Sequence, residues 1–80
     1  MKVISIIVSY NPSYSGISNL AEQLNKSCEE VIIVDNNSEQ DFSQSLLQLS
    51  KCIVLRLSDN FGIAFAQNMS IKKAIELGAT

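Results

Sequence analysis

Three short polar stretches gather the side chains best suited to grip a polar ligand: Ser9, Tyr10 and Asn11; Asp35 and Asn36; Asn60, Gly62, Gln67 and Asn68. A tyrosine offers a flat aromatic face for stacking. The amides, hydroxyl and carboxylate supply hydrogen-bond acceptors, and all but the carboxylate supply donors too. Gly62, Ala64 and Ala66 withhold bulk where a helix is expected to begin, and the free N–H groups of a helix start favour an anion. There is no histidine, and Cys28 and Cys52 stand too far apart for a zinc spacing or a Cys-x-x-Cys pair. They read as two buried thiols, with a disulfide as the alternative.

The elements that must position these residues follow from periodicity. The apolar, β-branched runs "VISIIVS" (3–9), "VIIVD" (31–35) and "CIVLRL" (52–57) read as strands, the second oily enough to be covered on both faces. Ile17, Leu20, Ala21 and Leu24 repeat at helical steps over 17–24, and a shorter helix is expected over 43–50 with Asp41 or Ser43 as its N-cap. A third helix is expected from Gly62 to Leu77, ended by Gly78. On it, positions 64, 68, 71, 75 and 78 form one line, so Asn68 is expected to interrupt a packed apolar stripe. Strand, helix, strand, helix, strand, helix implies a parallel α/β sheet with right-handed crossovers. Eighty residues make one domain or less, with a thin stability margin.

In such a sheet every strand-to-helix loop opens on the same rim. Those loops read "SYNPSYSG" (9–16), "DNNSEQD" (35–41) and "SDNFG" (58–62), whereas "KSCEE" (26–30) and "SK" (50–51) at the other end look like plain turns. Ligands of open α/β sheets bind beyond the carboxyl ends of the strands. A net charge of −2 with scattered lysines argues against nucleic acid. The longest oily run is too short to span a bilayer, and no convincing secretion signal is present, so a cytoplasmic protein is expected. Neither a Gly-x-Gly-x-x-Gly turn nor a Walker phosphate loop occurs. These observations point to a nucleotide-like ligand and leave three readings open. Asp35 and Asn36 equally suit an Asx-turn, Tyr10 packing on its own loop, and Asn68 a helix-to-sheet clamp.

"VSYNP" (8–12), "VIIVDNNS" (31–38) and "NFGIAFAQN" (60–68) together resemble the amino-terminal part of family 2 glycosyltransferases of the GT-A fold. The likeness is strongest to their rhamnosyltransferase-like branch and covers nearly the whole chain. It implies a three-stranded, Rossmann-like βαβαβα half of that fold, strand order 3-2-1, with residues 1–80 as a truncated nucleotide-sugar-binding part. The implied activity is inverting transfer of a sugar, dTDP-rhamnose-like, from a nucleoside-diphosphate donor to a polysaccharide or lipid-linked glycan acceptor. Carried over by position, Ser9, Tyr10 and Asn11 form the first nucleotide-contacting loop, with Tyr10 stacking on the base. Asp35 and Asn36 read the base, the Asn36 amide oxygen accepting an imide N–H where many relatives carry a second acid. Asn60 and Gly62 pass under the ribose and diphosphate, with Gln67 and Asn68 behind them.

The family's Asp-x-Asp metal motif and its general base have no counterpart in these eighty residues. The resemblance therefore implies no catalytic residue and no metal ligand here, and a divalent ion (Mg or Mn) only in the full-length enzyme. A fragment inactive on its own is expected, in an enzyme lying peripherally at the inner face of the membrane. The first strand is expected to be an open apolar edge, giving a marginally stable or self-associating domain. The alternative is a stand-alone nucleotide-binding module without chemistry.

Overall fold

Alternation of β-branched runs with helical repeats yields six elements, and the computed structural model describes residues 2–49 and 51–79. They are β1 (Ile4–Ser9), α1 (Tyr14–Asn25), β2 (Glu30–Asp35), α2 (Ser43–Leu47), β3 (Cys52–Arg56) and α3 (Ile63–Glu76). All strands run parallel in the order β1-β2-β3, which is the expected 3-2-1 read from the opposite edge. The register pairs Ser9 with Asp35 and Asp35 with Arg56, so the three strands end together.

β2 is the centre of the molecule. Val31, Ile32, Ile33 and Val34 are fully buried, each side chain contributing about 1.5–3 kcal/mol relative to exposure. Because strand side chains alternate, Val31 and Ile33 face one way and pack with Ile7, Ile17, Ala21, Leu46 and Cys52 under α1 and α2. Ile32 and Val34 face the other way, under Ala66 and Ala74 of α3. The stacked rings of Tyr14 and Phe42, 5.3 Å apart, close the α1–α2 side.

The helices begin and end for identifiable reasons. Ser13 caps α1, its Oγ accepting from the Gly16 N–H at 3.2 Å. α2 is shorter than expected, and Ser50, where it was expected to end, lies outside the described residues. Neither expected residue caps it. Phe42 occupies the cap position, while Asp41 Oδ1 accepts from the Ser43 N–H at 2.9 Å. α3 ends as expected at Gly78, whose φ of 93° lets Gly78 N–H bond Ile75 O and Ala79 N–H bond Ala74 O, a Schellman motif.

One expectation about α3 fails. The face turned to the sheet carries Ala66, Ser70 and Ala74, not the line through positions 64, 68, 71 and 75. Asn68 is exposed, and Ile71 and Ile75 are 50% and 66% exposed. Small side chains let the helix backbone approach the crowded β2 surface, whereas a row of isoleucines would hold it away. Ile71 lies instead toward the free edge of β1. There a groove of about 520 Å³ is lined by Ile6, Val8, Ile63, Gln67, Ser70 and Ile71. The cysteines are unpaired, Cys52 buried and Cys28 half-buried. Burial pushes the Cys52 thiol above its ordinary value.

Candidate functional site at the carboxyl ends of the strands

The parallel register brings the ends of β1, β2 and β3 level, and the loops that follow them are bound into one surface. The first and second loops are joined by three contacts. Asn36 N–H donates to Ser9 O at 2.9 Å, Asn11 N–H to Ser38 Oγ at 2.7 Å, and Glu39 N–H to Asn11 Oδ1 at 2.8 Å. The second and third loops are joined by the Phe61 N–H, which donates to Asn36 Oδ1 at 3.1 Å. Ser9 Oγ also reaches Val34 O at 3.4 Å.

Asp35 forms the floor of this surface. It is 7% exposed, and its carboxylate takes Arg56 Nη1 at 2.6 Å together with the N–H and hydroxyl of Ser38. Arg56 Nη2 donates to Ser38 O at 2.9 Å, and Arg56 Nε lies 3.7 Å from Asp41. Two bonds from Ser43, helped by Arg56, hold the Asp41 carboxyl below the ordinary carboxylate range. A continuous relay therefore runs from Arg56 through Asp35 and Ser38 to Asn11. Arg56 and Ser38 were not among the residues singled out from the sequence. The last rung of the β2–β3 ladder sets Arg56 opposite Asp35, a neighbour relation that strand register alone reveals.

Much of the asparagine content of the rim builds the loops. Asn11 and Asn37 adopt left-handed backbone, with φ of 49° and 65°, which asparagine tolerates better than most residues. Asn60 Oδ1 accepts from the Gly62 N–H at 3.0 Å, an Asx-turn that steers the chain into α3. Gly62 has φ 88° and ψ 165°, a conformation close to glycine-only, yet a Cβ there would meet nothing within 4 Å. Its absent side chain therefore serves the backbone rather than relieving crowding. Unlike α1, α3 has no side-chain cap at its start, so no capping side chain satisfies the N–H groups of its first turn.

Of the residues expected at the site, Ser9, Asn11, Asp35, Asn36, Asn60 and Gly62 are linked through this network. Tyr10 stands at the same rim, 54% exposed, beside a hollow of about 290 Å³ that it shares with Pro12, Ser13 and the first turns of α1. Gln67 and Asn68 are set apart on α3, Gln67 in the groove beside β1. Among the described residues neither of those side chains has a hydrogen-bond partner. No three His, Cys, Asp or Glu side chains of the described residues gather as metal ligands. No helix of the described residues is long and apolar enough to cross a membrane.

The family model described as Glycosyl transferase family 2 matches residues 6–76, from β1 to the last residue of α3. The chain is also similar to the dTDP-rhamnosyl transferase RfbF of Shigella flexneri, 32% identical over 77 residues. That match covers 96% of this chain and 26% of the relative, so the chain spans about a quarter of the relative's length. No solved structure matches it. Both matches agree with the likeness carried by the three strand-end motifs, and the all-parallel α/β sheet is the one those motifs imply. The chain belongs to glycosyl transferase family 2.

Proposed function

We propose that this chain is the donor-binding part of a glycosyltransferase that holds the nucleoside diphosphate of an activated sugar, dTDP-rhamnose or a close analogue. The full-length enzyme transfers that sugar with inversion to a hydroxyl of a polysaccharide or lipid-linked glycan. It works in the cytoplasm, peripherally at the inner face of the membrane. Any divalent ion on the diphosphate is held, in this reading, by residues other than these.

The observation that carries this reading is the convergence of three loops on Asn36. The Ser9 carbonyl, the Asn36 amide and the Phe61 N–H form one connected rim at the carboxyl ends of parallel strands. Tyr10 stands exposed on the same rim and offers a face on which a base can stack. The first turn of α3 has no side-chain cap, and N–H groups left open at a helix start suit a diphosphate. The name of the Shigella flexneri relative supports dTDP-rhamnose as the donor.

Calorimetric titration with dTDP, UDP and NAD tests the reading. Binding of dTDP or UDP without NAD is the expected result, and Tyr10→Ala weakens it by roughly 5- to 100-fold, the worth of one base–aromatic stack. Binding of NAD alone would overturn the assignment in favour of a dinucleotide fold.

A further inference from the structure

Asn36 is 3% exposed, and its two amide atoms stand in different circumstances. Its Oδ1 accepts from the Phe61 N–H at 3.1 Å. An amide flip does not alter that assignment, because a backbone N–H only donates and must face the oxygen. Its Nδ2 has no partner among the described residues. Nor is that nitrogen one of their sealed, unpaired polar atoms, which are Asn25 Oδ1 and Glu30 Oε2, so Nδ2 keeps contact with solvent. A side chain more than nine-tenths buried thus turns its donor end outward at the point where the three loops meet.

We infer that Asn36 reads the donor nucleotide as a hydrogen-bond donor, giving its Nδ2–H to a carbonyl oxygen of the pyrimidine base. This rests on the nucleoside-diphosphate reading above and reverses the polarity expected from the sequence, in which the amide oxygen accepts the base imide proton. The Watson–Crick edge of thymine or uracil carries a carbonyl oxygen on either side of one N–H. An aspartate at this position would accept that N–H. An asparagine whose oxygen already holds the third loop has donors to offer, and a carbonyl is the matching group. The same side chain therefore does two things. Its oxygen fixes the entry to α3, and its nitrogen selects the acceptor edge of the base.

The test uses dTDP or UDP, whichever binds tighter, with its 2-thio and 4-thio analogues, against the wild-type chain and Asn36→Asp. Sulfur accepts hydrogen bonds weakly, so thio exchange at the carbonyl that Asn36 reads weakens wild-type binding by about three- to tenfold. Asn36→Asp keeps an oxygen for the Phe61 N–H and removes the donors. Its added charge acts on all three nucleotides alike and cancels in their ratios. The expected result is discrimination at one carbonyl in the wild type and none in the variant. Equal binding of all three by the wild type overturns the inference while leaving the nucleotide reading intact. So does retained discrimination in the variant, or tighter wild-type binding of a thio analogue, whose imide proton is more acidic. If neither dTDP nor UDP binds, the nucleotide reading fails, and the inference fails with it.

Discussion

Arg56 and Asp35 face each other across the last rung of the β2–β3 ladder, and everything above them depends on that pair. A carboxylate 7% exposed needs compensation, which the guanidinium and Ser38 provide. The pair is bidentate in a wider sense, since the second guanidinium nitrogen holds the Ser38 carbonyl and so fixes the loop as well as the charge. Removing one partner leaves the other buried and unmatched, which costs more than the pair is worth intact. Arg56→Met is therefore expected to lower stability by about 1–3 kcal/mol, with the Arg56 side chain 29% exposed and its loss partly relieved by water. Urea midpoints measure this. Adding Asp35→Asn should recover part of the loss, and a double variant no better than the sum of the two singles would count against the coupling.

At the scale of the element, α3 shows how side-chain size selects a face. Its sheet-facing line of Ala66, Ser70 and Ala74 places small residues over Ile32 and Val34, while its isoleucines stand in the open. Ser70 is fully buried, yet its hydroxyl costs little because it donates back to Gln67 O at 2.7 Å. Two substitutions separate the faces. Ala66→Leu forces bulk into a site that is 0% exposed and is expected to destabilise the fold by about 1–3 kcal/mol. Ile71→Glu, on a residue 50% exposed, is expected to change stability by no more than about 0.5 kcal/mol. Thermal denaturation of the two variants reports the difference, and the reverse ranking would mean that the helix packs on the face first expected.

At the scale of the whole molecule, the sheet has a free edge. Among the described residues β1 pairs with β2 on one side and with no strand on the other. Beside that edge lies the groove of about 520 Å³, lined in part by the exposed Ile63 and Ile71. Unpaired strand edges flanked by apolar surface template association. The eighty-residue chain by itself is therefore expected to self-associate, with sedimentation that depends on concentration across the micromolar range. Ile71→Glu is expected to shift it toward monomer without lowering its stability. A wild-type chain that sediments as a monomer at every concentration would contradict this.

How much of this was legible beforehand depended on the distance between interacting residues. Strand positions, the parallel sheet, the rim of polar loops and the Gly78 helix end follow from periodicity and local backbone chemistry, which a sequence displays directly. The family likeness was legible for the same reason, because its motifs sit at strand ends that periodicity already marks. Three things needed the folded chain. The face of α3 was decided by how closely a helix approaches β2, so the more apolar line lost to the smaller one. The Asp35–Arg56 pair joins residues 21 positions apart, and strand register alone makes them neighbours. The state of Asn36 was set by the Phe61 N–H, 25 positions away, which occupies one end of the amide and leaves the other without a partner among the described residues. A sequence states which groups a side chain carries; packing decides which of them remain free.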